Sequence, residues 1–310
     1  MPIRPITPSI RRGTLAVSAV LSLLSVTGCA GTAESLTVVR SSGAREHSIE
    51  RSLATCMEQN GFRYVPDDGS PWQRVDPELN NDRLGRGDYA AMRSYRAKYG
   101  YGAFAIYVFP QKFGNPRVKP EHVPISPNGA IRAALSPTQR RAYQEAYDRC
   151  YGPAVKQATG KDVASEWDHH RQISALVDRL VAAEIDADLR LVRLAENMAD
   201  CLRAKGYAVE STLPSALAGR GFARFNAEIT EIGRTDDISD EPLKSFGTDE
   251  DGNHRVYQPN LTPLQAGPYL TREIGDALDD LECGREFYPV YKTRYTDIQR
   301  RAHEEFGLAE

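Results

Sequence analysis

A chain of 310 residues, 41% of them apolar, carries enough hydrophobic material for one large domain or two small ones. Its 39 basic and 42 acidic residues leave a formal net charge of -3, and so mild an acidic balance excludes the basic footprint of a nucleic-acid-binding surface. The ordinary apolar share also excludes a largely disordered chain.

Residues 1–28 divide into a basic head with Arg4, Arg11 and Arg12, an apolar run from Leu15 to Val26, and the small pair Thr27 and Gly28 ahead of Cys29. This is a signal-peptide layout. The apolar run is too short for a membrane-spanning helix, which needs about 20 residues. Val26-Thr27-Gly28-Cys29 resembles the lipobox of bacterial lipoproteins, with Thr27 where Ala or Ser is more usual. The resemblance covers only the leader. It implies diacylglyceryl transfer to the Cys29 sulfur, cleavage before that residue and acylation of its new amino group. A thiolate is the nucleophile suited to take the lipid, and two or three acyl chains hold a protein at a membrane where one does not. The expected address is the outer face of the cell membrane, with lipid on Cys29 as the anchor. Arg11-Arg12 followed by Leu15 hints at twin-arginine export, while Ile10 and Gly13 do not fit it, so the export route stays open.

Residues 29–45, with Ser41-Ser42-Gly43 inside, read as a polar tether. A helix is predicted from Glu46 to Asn60, with Ile49, Leu53, Cys56 and Met57 on one face. A loop rich in Pro, Asp and Asn follows from Pro66 to Asp88, then a helix over Met92 to Tyr99. Ala103 to Phe109 is aromatic and apolar enough for a strand, and Pro110 to Asn128 reads as loop. Leu135-Ser136-Pro137-Thr138-Gln139 starts a helix that reaches Cys150. From Asp162 to Lys205 an apolar seam runs through Ile173, Leu176, Leu180, Ala183, Ala187, Leu191, Leu194, Met198 and Cys201 with no Gly or Pro. It predicts one helix about 65 Å long joining two halves. Asp251-Gly252, between Leu243 to Phe246 and Arg255 to Tyr257, suggests a small hairpin. Leu261-Thr262-Pro263-Leu264-Gln265 starts a helix that reaches Cys283, and Tyr291 to Phe306 forms the last one.

Two features occur twice in the same order. Cys56 with Gly61-Phe62 and Cys201 with Gly206-Tyr207 both read as helix ends, with Gly as the left-handed closing residue and an aromatic folding back. Ser136-Pro137 with Gln139 and Thr262-Pro263 with Gln265 both read as capping boxes. Gly100-Tyr101-Gly102-Ala103-Phe104 and Gly219-Arg220-Gly221-Phe222-Ala223 are candidates for a third pair. Beyond Cys29 there are four cysteines, an even number suited to disulfides in an exported chain; the close Cys pairs of zinc sites are absent. If each half is a copy, each closes its own bridge, giving Cys56–Cys150 and Cys201–Cys283. The expected fold is α+β and mostly α-helical, with repeats over 46–160 and 161–310 joined by the long helix. The outline resembles exported proteins common in high-GC actinobacteria, loosely and over most of the mature chain, and that family supplies no activity to carry over.

Signatures of chemistry are weak. Glu166 and His169 have the i, i+3 spacing of di-iron helices but lack the second pair, since His303-Glu304-Glu305 has the wrong order; no metal site is expected. Asp249-Glu250-Asp251-Gly252 resembles part of a calcium loop, yet Gly247 and Gln258 fall where carboxylates are required. Asp236-Asp237 with Asp240-Glu241 reads as a charged loop. The paired glycines lack a nucleotide fingerprint, no nucleophile motif occurs, and no catalytic residue or cofactor is expected. Tyr99, Tyr101, Phe104, Tyr107 and Phe109 form an aromatic stretch that reads as core or as a ligand platform for a cell-wall glycan or peptide. The favoured expectation is a non-catalytic, lipid-anchored envelope module that meets a wall component or another envelope protein. A cell-wall hydrolase and a solute-binding lipoprotein are the alternatives.

Overall fold

A computed structural model describes residues 31–67, 78–79, 82–115, 117–118, 126–235 and 258–308. In chain order its helices are α1 (Gly31–Gln59), α2 (Asp82–Gly85), α3 (Tyr89–Tyr99), α4 (Ala105–Val108), α5 (Pro127–Ala134), α6 (Pro137–Thr159), α7 (Glu166–Val181), α8 (Leu189–Ala204), α9 (Pro214–Thr235), α10 (Pro263–Cys283) and α11 (Phe287–Glu305). A single π turn, Ala182–Asp186, extends α7.

The doubled features are built alike. At the end of α1, Gly61 takes φ 81°, its N–H donates to the Glu58 carbonyl and the Phe62 N–H reaches back to Met57. At the end of α8, Gly206 takes φ 88° and the bonds run from Gly206 to Arg203 and from Tyr207 to Leu202. Both are Schellman closures in which the aromatic packs against the core cluster that contains the residue accepting its N–H. Both capping boxes form as well, Ser136 with Gln139 on α6 and Thr262 with Gln265 on α10. Disulfides join Cys56 to Cys150 and Cys201 to Cys283, tying α1 to α6 and α8 to α10.

The α+β expectation is overturned, because every regular element among the described residues is a helix. The segment from Ala103, read as a strand for its aromatic content, turns its backbone donors onto one carboxylate. Glu273 accepts the N–H of Tyr101 at 2.7 Å, of Ala103 at 2.9 Å and of Phe104 at 2.8 Å, and the chain passes into the single turn of α4. The hairpin around Asp251-Gly252 lies outside the described residues. The tether expected over 29–45 is taken up by α1 from Gly31 onward; its interior Gly43 costs a helix only about 1 kcal/mol relative to Ala.

The predicted 65 Å helix is two helices. Asp188 leaves helical geometry (φ -76°, ψ 113°) and its carboxylate accepts the N–H groups of Arg190 and Leu191, starting α8 afresh. Two residues earlier, Asp186 accepts both the backbone N–H and the hydroxyl of Ser215, so the π turn is tied to the start of α9. Short acidic side chains compete with the helix for its own donors, and here they interrupt an apolar seam that neither Gly nor Pro breaks.

Nor do the halves stay apart at residue 160. One core lies between α1 and α6, around Leu53, Met57, Ala146 and Val155. The inserted α3 and α4 instead pack on α10: Met92 joins the core of α8 and α11, while Tyr99 and Phe104 share one with Phe225, Ile229 and Leu270. The third candidate pair also fails, since Gly100 (φ 61°) and Gly102 (φ 102°) occupy a turn whereas Gly219 and Gly221 are helical positions of α9.

Residues 94 and 82 positions apart are cross-linked, which in the chain-entropy picture stabilises each half by about 4 kcal/mol. Replacing Cys201 and Cys283 together by Ala should lower the urea-derived unfolding free energy by about that amount, and an unchanged midpoint would show that the bridge contributes nothing.

Candidate functional site

The acidic face of α10 organises the site. Glu273, Asp276, Ala277 and Asp280 recur at helical spacing, so three carboxylates lie on the side that α10 turns inward, with Leu270 and Leu281. All three are buried. Arg96 of α3 reaches Asp280 at 2.6 Å and also donates to the Ala277 carbonyl. Arg220 of α9 bridges Asp276 and Asp280, and Arg224 pairs with the second oxygen of Asp276. Tyr101 donates to Asp276 at 2.7 Å and Tyr288 of α11 donates to Asp280.

Burial alone disfavours the Arg96 cation, but the neighbouring Tyr288, Asp280 and Tyr101 outweigh it and push its pKa upward. Its guanidinium lies 4.6 Å from the Tyr288 ring centroid and 5.1 Å from that of Tyr101. Burial together with Asp280 and Asp276 pushes the Tyr101 hydroxyl up, so it remains a donor. Burial raises Glu273 against the opposing pull of the loop N–H groups. Two glycines make the approach possible. A Cβ on Gly100 would collide with the Glu273 side chain, and one on Gly221 would fall inside the Tyr101 ring.

Beside this network lies a cleft of about 770 Å³. Tyr95 and Arg96 of α3 form one wall, the small residues Ser215, Ala218 and Gly219 of α9 another, and Tyr288, Tyr291, Lys292 and Tyr295 of α11 the third. Phe222 stands half exposed among the lining residues. The Tyr291 and Tyr295 rings stack with centroids 5.7 Å apart and planes 10° from parallel. Burial and the like charge of Arg96 push the Lys292 ammonium below its usual pKa.

The aromatic candidates divide. Tyr99, Phe104 and Tyr107 are buried in the core between α3, α4, α9 and α10, so as a ligand platform they are corrected to core. Tyr101 alone of the four borders the cleft. Cys29 and the acidic segments at 236–241 and 249–252 lie outside the described residues. His169 is committed within the fold: one ring nitrogen meets the Tyr151 hydroxyl at 2.8 Å and the other the Phe306 carbonyl at 3.0 Å. Its neighbours Glu166 and His170 line a second cleft of about 450 Å³ with Glu50 and His303. There Glu50 accepts from Tyr64 and from the Asp67 N–H, and Glu166 accepts from Tyr147.

Compared with protein-family models, curated proteins and solved structures, the chain matches none.

The residues that sequence reasoning missed are Arg96, Arg220, the three acids of α10, and Lys292 with its tyrosines. One signal was present. Glu273, Asp276 and Asp280 share a helix face with apolar residues, where solvated acids do not belong.

Truncating Asp280 strands Arg96 and Tyr288 without their partner. Asp280→Ala should cost about 3–5 kcal/mol of stability in urea melts, and a loss below about 1 kcal/mol would mean that Arg96 finds water instead. His169 gives a pH dependence. Burial lowers its folded pKa below 6.5, so the unfolded chain binds the proton more tightly and stability is full above that pH. Tm should fall as the pH drops below 6.5, and His169→Gln should remove part of that fall.

Proposed function

We propose that this chain is an exported protein held at the outer face of the cytoplasmic membrane by lipid on Cys29, and that it serves there as a non-catalytic module binding a small envelope component in the cleft between α3, α9 and α11. The cleft carries the reading. Its volume falls within the roughly 300–1,000 Å³ of small-molecule sites, and its lining combines aromatic rings with a few polar groups. The leader supports the address, as do two disulfides, which persist where surroundings are oxidising. No helix among the described residues is long and apolar enough to cross a membrane.

A hydrolase needs carboxylates aimed at one bond from within a cleft. In the large cleft Asp186 is held by Ser215 and Asp178 is exposed. In the smaller one Glu50 and Glu166 are held by tyrosines. The non-catalytic reading is favoured for that reason.

Gly219 offers a clean test, because a Cβ there meets nothing within 4 Å. Detergent-solubilised mature protein should gain thermal stability with a soluble muropeptide digest of cell wall, and Gly219→Trp, which fills the cleft, should abolish the gain. An equal gain in both proteins would place binding elsewhere. In cells, Cys29→Ala should leave the protein unprocessed or released, and unchanged membrane association would count against the anchor.

A further inference from the structure

We propose that the ligand of this cleft is a carboxylated ring compound, its carboxylate seated on the Lys292 ammonium and its ring laid against the tyrosines around it. This deepens the preceding proposal and rests on the cleft being the binding site.

The charges of the cleft point that way. Arg96 is neutralised by Asp280 and Arg220 by Asp276 and Asp280. Arg294, two positions beyond Lys292 on α11, pairs with Asp188. Lys292 differs from all of these. Among the described residues it has neither an ion pair nor a hydrogen bond, it is half-buried in the cleft wall, and the charge it senses is the like charge of Arg96. The carboxylates that share the lining do not serve it: Asp186 accepts twice from Ser215 and Asp178 is exposed on α7. A cation withdrawn from water beside another cation is costly until an anion joins it. An incoming carboxylate would supply the missing counter-charge.

The anion is a carboxylate rather than a phosphate. Phosphate sites gather several free cations or the backbone donors of a helix start, whereas Arg96 and Arg220 are already ion-paired with aspartates and, among the described residues lining the cleft, Lys292 is the cation without an ion pair. The body of the ligand follows from the rings. Tyr295 lies three positions from Lys292 on the same helix, Tyr95 lines the cleft from α3, and Phe222 leaves half its surface in solvent, while Tyr288 and Tyr291 are buried. Such rings stack on aromatic rings or on the apolar faces of sugars.

Matched pairs separate charge from body. Titration calorimetry on the detergent-solubilised mature protein compares N-acetylmuramic acid with N-acetylglucosamine, and N-acetyltyrosine with N-acetyltyrosinamide. Whichever body fits, its acid should bind at least roughly tenfold more tightly than its neutral partner, as a charged hydrogen bond allows. Lys292→Met should bring the acid down to the level of the neutral compound, Lys292→Arg should retain most of the preference, and Gly219→Trp should remove binding of both. Lys292→Met should also melt no lower than the parent, since it removes an uncompensated cation, so lost binding cannot be put down to misfolding. Equal affinity for acid and neutral partner would overturn the charge assignment and leave the cleft as a binding site. A thermal shift with the muropeptide digest but none of the four compounds bound would overturn the ligand class alone, and inorganic phosphate binding more tightly than either acid would overturn the carboxylate. No response to digest or compounds would remove both proposals.

Discussion

Three carboxylates on the buried face of α10 hold the second half of this molecule in place. Glu273, Asp276 and Asp280 sit where a helix normally presents leucines, and each draws a different part of the chain to it. Glu273 winds the 100–104 turn around itself. Asp280 fixes α3 through Arg96 and α11 through Tyr288, and Asp276 fixes α9 through Arg220 and Arg224. Charges removed from water are tolerable only when their partners are oriented and complete. The network therefore admits few alternative arrangements of these helices, and the glycines at 100 and 221 are what allow the partners to come close enough.

The two halves share local features and differ in what lies between them. In both halves one helix closes on a Gly-aromatic turn and is bridged to a second helix that starts from a capping box. Between them, among the described residues, the first half inserts α2 to α5 and the second half α9. Only α5 of this insert covers its own half, through Ile131; Arg96, Tyr99 and Phe104 pack against α10 and α9. Two bridged helix pairs thus share one set of inserted helices, and the cleft opens where the insert, α9 and α11 meet.

The cleft is saturated on one side and unsatisfied on the other. Arg96, the arginine in its wall, is paired with Asp280, which makes it scaffold rather than a recognition group. Lys292 shares the cleft wall with tyrosines and has no counter-charge among the described residues. Fixed rings beside one unpartnered cation favour a flat anionic ligand, because the rings are already ordered and lose little entropy on contact. Tyr291 and Tyr295 lie nearly parallel one turn apart on α11, and Phe287 stacks on Tyr291.

The sequence by itself determined the local punctuation: the Gly61 and Gly206 closures, the Ser136 and Thr262 caps, and one bridge for each half. All depend on residues a few positions apart, or on pairing that a repeat makes plain, so no tertiary knowledge was needed. Where a decision turned on a distant partner, local pattern misled. The aromatic run from Ala103 is no strand, because a carboxylate far along the chain collects its N–H groups. The 162–205 seam is no single helix, because Asp188 restarts it and Asp186 turns aside to Ser215. Tyr99, Phe104 and Tyr107 were drawn inward by α9 and α10, while the cleft was assembled from single residues of α3, α9 and α11 that no stretch of sequence places side by side. Spacing along a chain fixes which residues share a helix face; only packing decides what that face meets, and so whether a charged group on it becomes solvated surface, internal scaffold or a site for something else.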